Sequence, residues 1–203
     1  PDLIDEVLGN EYYIEKKVVD TKYYGVPQQR KRAIILLAKK DQETPWFFPK
    51  EDYHIITLRE AIGDLPSLDP LIKEKEYRHI FPDYEKKRLE GLKVSKWHFP
   101  REHVWRNVEV MMHTPTGKSA RQNPVFFPKK KDGTMVGGAP RTYMRMEWDK
   151  PAPTITSYNH TISSFQNVHP GRLIPETGLY SDARVLTIFE MMRVMSLPDD
   201  WNI

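Results

Sequence analysis

The sequence predicts a mixed α/β fold in which an antiparallel pair of strands precedes a larger, loop-rich part with a few short helices. Two segments near the beginning, Tyr12–Val19 (YYIEKKVV) and Ala33–Ala38 (AIILLA), have the composition of strands. Turn residues at Tyr23–Pro27 separate them, which favours antiparallel neighbours joined by a loop rather than by a tight hairpin. The first segment mixes apolar and charged residues, as a partly exposed strand does, whereas the second is a continuous apolar run typical of a buried strand.

Short helices are predicted at three further places. Thr57–Glu60 and Thr187–Glu190 both have the spacing of a capping box, in which the first side chain and the Glu three residues later satisfy the free amides of a helix start. The first helix should stop before Gly63. The second should run through Met195 and end at Pro198, with an apolar stripe of Phe189, Met192 and Val194 or Met195. Residues 64–140 are irregular and rich in proline, with one helix at Tyr84–Leu92 and a charged turn at Lys129–Gly133.

Charge and composition limit the possible functions. The net charge of +3 hides a basic middle, because Leu71–Lys131 holds fifteen Lys and Arg against seven Asp and Glu. Such a segment suits a polyanionic partner, although a solvated lysine-rich surface has the same composition. The absence of Cys excludes disulfides, thiolate metal sites and thiol nucleophiles within these 203 residues, and the seven His show no metal-binding spacing. No apolar run is long enough to cross a membrane, so we expect a soluble, cytoplasmic protein.

Three stretches, in order, resemble the cytosine-5 DNA methyltransferases. Gly25–Arg32 (GVPQQRKR) is similar to that family's eighth motif, a Gln-x-Arg-x-Arg element between two strands. Arg145–Thr156 (RMEWDKPAPTIT) is similar to its ninth motif, an Arg followed by Pro-x-Pro-Thr-x-Thr. His169-Pro170, Arg184–Thr187 and Leu197–Trp201 resemble the stretch that follows. The basic spacer between the first two stretches lies where the family keeps its target-recognition domain.

The resemblance implies a division of the chain and of the enzyme. Residues 1–40 would be the C-terminal part of the catalytic domain, a strand pair from the edge of its sheet, and residues 41–203 the target-recognition domain. The family's cofactor loop, Pro-Cys nucleophile and Glu-Asn-Val element precede the eighth motif and do not occur here. We therefore expect S-adenosyl-L-methionine to be bound mainly by a Cys-bearing half, without which this portion is inactive. The partners would be double-stranded DNA and that half, as a separate subunit or the N-terminal part of one chain, in a restriction-modification setting.

The family's chemistry assigns roles to the first motif. Methylation of carbon 5 requires the cytosine to be flipped out of the duplex. A thiolate then attacks carbon 6, negative charge develops on the ring, and a fixed donor at O2 stabilises it. By the resemblance, Arg32 is that donor, Arg30 lies beside it and Gln28 supports the loop. On an extended segment Arg30 and Arg32 share one face and Lys31 lies opposite. The alternative is that both arginines only face solvent at a strand end.

Candidates for DNA contact lie in the other stretches. Lys118, Ser119, Arg121 and Gln122 follow Gly117 in a loop and carry donors suited to guanine or adenine edges. By the resemblance, Arg145, Thr154 and Thr156 position the recognition domain, and all three are candidates for phosphate contact. Lys129–Lys131 would contact phosphates or simply solvate the surface.

Three hypotheses about the function are compatible with the sequence. The first is a DNA-recognising portion of a methyltransferase that needs its Cys-bearing half. The second is a stand-alone sequence-specific DNA-binding module, and the third an unrelated basic protein. The first reading makes a structural prediction: without the rest of the sheet, residues 1–40 should expose an apolar face or an unpaired strand edge around Ala33–Ala38.

Overall fold

The chain has the mixed α/β character that its sequence predicts. A computed structural model describes residues 3–123, 126–127, 129–130, 132–135, 141–156 and 168–201. Within these residues, short helices alternate with three small two-stranded sheets. The largest sheet lies at the beginning of the chain, and most of the remainder packs around two apolar clusters.

The first sheet is the predicted antiparallel strand pair. Helix α1 (Leu3–Leu8) leads into β1 (Tyr12–Asp20), which pairs along its whole length with β2 (Lys31–Lys39). The connection is a loop, as predicted: a 3-10 turn at Thr21–Tyr24 is followed by Gly25, whose φ of 74° is a left-handed conformation that glycine adopts without strain.

The two faces of this sheet differ in exposure. On one face Val19 and Ala38 are buried, and Lys17 lies under the chain around Phe48 and forms an ion pair with Glu51 at 2.8 Å. The opposite face is largely open to solvent, and an ion pair between Asp5 and Lys16 ties α1 to it.

The expectation that β2 is a buried strand is therefore wrong for most of its length. Val18, Ile35 and Leu37 lie on the open face and are 67%, 41% and 39% exposed, and Ile34 on the other face is 39% exposed. The predicted exposure of apolar surface around Ala33–Ala38 is confirmed. We name the open face, formed by Val18, Ala33, Ile35 and Leu37, the apolar sheet face.

The predicted helices are present with small changes at their ends. Helix α2 (Leu58–Ile62) starts at the Thr57–Glu60 capping box, and α3 spans Tyr84–Val94. Helix α5 (Ile188–Val194) starts at the second capping box, and Phe189, Met192 and Val194 form its buried stripe. It ends before Pro198 is reached, because Ser196 already has a φ of 57°. The proline is therefore not the residue that stops it.

The middle of the chain is more regular than predicted. Helix α4 (Trp105–His113), which the sequence analysis missed, buries Val108, Val110, Met111 and Met112. The other elements here are short: 3-10 turns at Lys75–Ile80 and Ala120–Gln122, and strands β3 (Leu71–Ile72) and β4 (Glu102–His103), which pair in parallel. Strands β5 (Leu173–Ile174) and β6 (Leu179–Tyr180) form an antiparallel hairpin. The charged turn is confirmed in its described part, where the Gly133 amide donates to the Lys130 carbonyl at 3.0 Å.

Two apolar clusters hold the elements together. The first surrounds α4 and includes Ile72, Tyr143 and Val185. The second joins α2 to α5 and takes in Met146 and Ala152, so the segment that resembles the ninth motif is part of a hydrophobic core. This burial fixes the segment next to the strand pair and determines the position of the cleft described below.

The described ranges contain neither a membrane-spanning helix nor a cluster of metal-binding side chains. None of the helices there combines the length and the apolar character that crossing a bilayer requires. No group of three or more His, Asp or Glu in that part of the chain is arranged to hold a metal ion.

Candidate functional site

The two segments that resemble the eighth and ninth motifs lie side by side. Gln28 and Ala152 form a parallel bridge, in which the Gln29 amide donates to the Ala152 carbonyl at 2.7 Å and the Ala152 amide donates to the Pro27 carbonyl at 2.9 Å. The hydroxyl of Thr154 donates to the Gln29 carbonyl at 2.8 Å. Sequence segments more than a hundred residues apart thus form one surface.

A cleft of about 780 Å³ opens between these segments. We name it the motif cleft; its described wall consists of Gln29, Lys31, Arg32, Arg141, Met144, Arg145, Met146, Glu147, Lys150, Pro151, Pro153, Thr154 and Thr156. Cationic residues outnumber the single acidic one in this wall, so the cleft suits an anionic ligand.

Arg32 is the predicted catalytic residue that lines the motif cleft. It lies at the beginning of β2, directly opposite the buried Val19 on β1, and its side chain is exposed. One guanidinium nitrogen donates to the Lys31 carbonyl at 2.6 Å. Since a guanidinium carries five donors in a fixed fork, this bond leaves donors available to a ligand in the cleft.

Arg30 and Gln28 take different positions from Arg32. The Arg30 guanidinium donates to the Ile155 carbonyl at 3.3 Å, and its backbone amide donates to the Asp20 carboxylate at 3.2 Å. Gln28 is 4% exposed, and its carbonyl accepts from the Thr21 hydroxyl at 2.6 Å. Both residues hold the loop against the ninth-motif segment. Lys31, which alternates with Arg32 along β2, also lines the motif cleft.

Arg145 forms part of the cleft wall but is fully buried, so the expectation that it contacts DNA is corrected. Its guanidinium donates to the carbonyls of Thr114 at 2.8 Å, His169 at 2.7 Å and Pro170 at 3.2 Å, and also to that of Met111. Burial lowers the pKa of Arg145 to about 10, which still leaves it charged at neutral pH. The residue joins three chain segments and has no surface to offer a phosphate.

Ser119 is corrected for the same reason. It is 3% exposed, and its backbone amide donates to the side-chain oxygen of Gln122 at 3.1 Å, at the start of the 3-10 turn. A hydroxyl buried in this way cannot reach a base edge. Lys118, Arg121 and Gln122 are exposed, as direct readout requires.

Backbone hydrogen bonds connect the Lys118 loop to the motif cleft. The Arg145 amide donates to the Lys118 carbonyl at 3.0 Å, and the Gly117 amide donates to the Arg145 carbonyl at 3.1 Å. Gly117 has a φ of 69°, and its α-carbon lies against the Glu147 side chain. The loop and the cleft are therefore parts of one site rather than two separate surfaces.

The two threonines of the ninth-motif segment both line the cleft. Thr154 is exposed and uses its hydroxyl hydrogen to bind the Gln29 carbonyl. Its oxygen keeps acceptor lone pairs, and Thr156 is half-buried. Thr154 thus joins the two motif segments.

A buried ionic network lies beside the turn that Arg145 binds. Arg184 is fully buried and donates to both oxygens of Glu190 at 2.8 Å, and to Asp182 at 3.0 Å. Asp182 in turn accepts from the Leu68 amide at 2.8 Å. His169, whose carbonyl binds Arg145, lies with its ring 3.5 Å from Glu190. The network connects the beginning of α5 to the turn that Arg145 holds.

Four charged residues of the cleft wall were given no role by the sequence analysis: Lys31, Arg141, Glu147 and Lys150. Lys31 is part of the quoted eighth motif, and Glu147 and Lys150 of the ninth, but the family pattern gave them no role. Arg141 has no sequence signal beyond its charge. It joins the cleft only because the chain around Tyr143 packs into the first apolar cluster.

Comparison with known proteins agrees with the motifs. The family model described as C-5 cytosine-specific DNA methylase matches residues 2–203. Type II methyltransferase M1.HgaI of Avibacterium volantium is 44% identical over 201 residues, which is 99% of this chain and 50% of that protein. Type II methyltransferase M.PspPI of Psychrobacter sp. (strain TA137) is 25% identical over 196 residues, 93% of this chain and 38% of that protein.

A solved structure shows the same fold at lower sequence identity. A DNA modification methyltransferase encoded within a prophage (E. coli) superposes with a TM-score of 0.53 at 17% identity, covering 96% of this chain and 53% of that one. The chain spans about half the length of M1.HgaI, the relative that it matches over 99% of its own length. With a family model that matches almost every residue, the chain belongs to the C-5 cytosine-specific DNA methylase family.

Proposed function

We propose that this chain is the DNA-recognising C-terminal portion of a DNA (cytosine-5-)-methyltransferase, which methylates carbon 5 of a flipped cytosine in a specific duplex site. The observation that carries the proposal is the motif cleft. The two motif segments meet through backbone hydrogen bonds, and the space between them is lined by Arg32 and other cationic residues. A flipped nucleotide brings both a base and a phosphate, and this cleft has donors for both.

Arg32 would stabilise the negative charge that develops on the pyrimidine ring. As a nucleophile adds to carbon 6, electron density moves toward O2, and a guanidinium fixed at that position favours the transition state more than the ground state. Arg32 stays protonated at any working pH and presents parallel donors. Arg30 and Gln28 would hold the loop that carries it, since both are bonded to neighbouring backbone or buried.

The methyl group would come from S-adenosyl-L-methionine, which supplies an electrophilic carbon to the activated ring. None of the described residues is assigned to its binding. This chain's own part is to bind DNA, to hold the extruded base and to donate hydrogen bonds to it. The sulfur nucleophile would come from a Cys-bearing portion, either a separate subunit or another segment of the same polypeptide, and the chain would be inactive without it.

The apolar sheet face supports the need for that portion. A two-stranded sheet on its own has marginal stability in water. Here one face of such a sheet leaves Val18, Ile35 and Leu37 exposed, and an exposed apolar face of this kind is typical of a surface that another protein segment covers. Residues 1–40 would complete the edge of a catalytic sheet, and residues 41–203 would form the target-recognition domain. M1.HgaI is about twice as long as this chain, which is room enough for the remainder of such a sheet.

DNA contacts would come from exposed residues around the cleft. Lys118, Arg121 and Gln122 are candidates for base edges, because their loop is bonded to the cleft wall. Arg141 and Lys150 would contact phosphates, and Thr154 and Thr156 would position the backbone at the cleft.

DNA binding measured with and without the catalytic portion tests this proposal. The chain alone should bind duplex DNA weakly, with an affinity that falls steeply as salt rises. Addition of the Cys-bearing portion from the same source should produce tight, sequence-dependent binding and 5-methylcytosine in the product. Nanomolar, sequence-specific binding by the chain alone, unchanged by the second portion, would favour the stand-alone binding module. Absence of DNA affinity in both states would reject both readings.

A further inference from the structure

Glu147 is the acidic residue in the described wall of a cleft that is otherwise cationic or neutral. A carboxylate in a cleft that receives DNA repels phosphates and lowers affinity. Its side chain is 34% exposed, so it is accessible to a ligand rather than buried for structural reasons. The Glu147 carboxylate therefore needs a hydrogen-bond donor as its partner when DNA is in the cleft.

The position of this carboxylate is fixed by its neighbours. Lys150 donates to one of its oxygens at 2.8 Å. On the other side it lies against Gly117, where an added Cβ would come within 2.9 Å of the carboxylate carbon. The preceding residues, Arg145 and Met146, are buried. Within the described part of the chain the second oxygen, Oε2, has no hydrogen-bond donor.

The surroundings of Glu147 narrow the choice of ligand. The carboxylate lies against Gly117 of the Lys118 loop, whose exposed donors suit base edges, and shares the cleft wall with Arg32. Phosphates carry only acceptors and are repelled. Among DNA groups, the exocyclic amines of cytosine and adenine are the donors that a carboxylate accepts from in the major groove, whereas guanine and thymine present carbonyl oxygens there.

We propose that Glu147 is a specificity-determining residue, which accepts a hydrogen bond from the exocyclic amine of one base in the recognition site. The inference rests on the proposed function, because it needs DNA in the motif cleft. Lys150 orients the carboxylate through the first oxygen and leaves the second for the base. A guanine or thymine at that position would place an acceptor against an acceptor and be rejected.

The test compares two variants of the assembled methyltransferase, this chain together with its Cys-bearing portion. Glu147→Gln and Glu147→Ala remove the same charge, but only the alanine removes the acceptor. Each is given a pool of duplexes with randomised bases, and methylated products are sequenced at base resolution. Glu176→Ala, which removes an equal charge from an exposed turn, is the control.

For Glu147→Ala we expect one position of the wild-type site to lose its preference for cytosine or adenine by about tenfold or more. Glu147→Gln should keep a preference at that position, and Glu176→Ala should match the wild type. Synthetic duplexes then identify the source: replacing the amino group by hydrogen on adenine or on cytosine should reduce wild-type methylation in only one of the two arms. Neither replacement should change the rate at which the Glu147→Ala enzyme methylates the duplex.

Two outcomes would overturn the inference without touching the proposed function. In the first, both Glu147 variants methylate every duplex faster and with unchanged selectivity, which makes the carboxylate only a repulsive charge. In the second, selectivity changes equally in both variants and in Glu176→Ala. Failure of the proposed function looks different, because the wild-type assembly would then yield no 5-methylcytosine from any duplex.

Discussion

The backbone amide of Gln29 donates a 2.7 Å hydrogen bond to the carbonyl of Ala152. This bond joins the loop that carries Arg30 and Arg32 to the proline-rich segment at the other side of the cleft. Ala152 is fully buried in the second apolar cluster, so the loop is anchored to a core rather than to solvent. The shape of the cleft therefore depends on packing in this core. Residues that would contact DNA can for this reason be distinguished from buried residues that only hold the cleft in shape.

Arg145 should behave as a supporting residue. Arg145→Met removes the donors that bind four backbone carbonyls, three of them at 2.7–3.2 Å, inside the protein. Unpaired buried carbonyls cost free energy, so we expect the free energy of unfolding to fall by about 3 kcal/mol or more. Urea titration followed by circular dichroism measures this directly.

Lys118→Ala is the matched comparison for Arg145. It should leave the unfolding midpoint unchanged, because its side chain is exposed, and should reduce DNA affinity more for the recognition site than for unrelated DNA. If Arg145→Met leaves stability intact and instead flattens the salt dependence, Arg145 contacts phosphate after all.

The chain should lose stability in acid. Burial, assisted by the charge of Arg184, lowers the pKa of His103 and of His169 to about 4. Burial raises the pKa of Glu190, but the charge of Arg184 outweighs this effect and lowers it to about 2. All three groups bind protons more readily when unfolded, where His titrates near pH ~6.5.

The stability that the two histidines contribute is thus complete above about pH 6.5 and lost as the pH falls toward 4. We expect about 1–3 kcal/mol per histidine over that interval. Glu190 adds a further loss below about pH 4.5. Urea unfolding at pH 7.5, 5.5 and 4 measures the slope, and His103→Gln should reduce it. A flat profile between pH 7.5 and 4 would show that these rings are not buried in neutral form.

Gly117 and Gly133 form a matched pair for substitution by alanine. Both have a positive φ, of 69° and 80°, so each alanine should cost about 1 kcal/mol of stability. Only at Gly117 would the new methyl group meet another side chain, that of Glu147, whereas nothing described lies within 4 Å of Gly133. Because a carboxylate can swing aside, the difference should appear in function rather than in stability.

We therefore expect Gly117→Ala to change the sequence preference of the assembled enzyme, and Gly133→Ala to leave it as in the wild type. Base-resolution sequencing of methylated duplex pools measures both. Equal changes in sequence preference in the two variants would mean that the contact between Gly117 and Glu147 does not influence base recognition.

Ile35 should be important for association with the Cys-bearing portion. It lies in the apolar sheet face and is 41% exposed, so Ile35→Lys should not disturb the fold of the chain. Covering a lysine in an apolar interface costs desolvation energy, and we expect at least tenfold weaker association, measured by analytical ultracentrifugation. Leu173→Lys, at a more exposed apolar residue on β5 (53%), is the control. Equal association of both variants would place the interface elsewhere.

Local sequence rules predicted the elements that depend on neighbouring residues. The capping boxes at Thr57 and Thr187 and the Gly25 turn are set by hydrogen bonds within a few residues, and all three are present. Helix α4 was missed because it has no side-chain cap and is rich in valine; burial of Val108 and Met111 in the first apolar cluster stabilises it.

The candidate site was only partly predictable for the same physical reason. The family motifs identified Arg32, which the structure places in the cleft, but motif spacing carries no information on burial. Arg145 and Ser119 look like surface donors in sequence, and tertiary packing buries both. Arg141 and Glu147 reach the cleft only through the path of the chain around them, which no local pattern encodes.

The rate of methyl transfer by the Arg32→Ala variant measures how strongly Arg32 stabilises the charge that develops on the pyrimidine ring. In single-turnover measurements on the assembled enzyme, with DNA and S-adenosyl-L-methionine saturating, loss of the donor should slow the chemical step by about a hundred- to a thousandfold. Arg32 is exposed, so the unfolding midpoint should stay unchanged, and Lys39→Ala at the far end of β2 should retain the wild-type rate. An Arg32→Ala enzyme that keeps more than a tenth of the wild-type rate would show that Arg32 does not stabilise the charge on the ring.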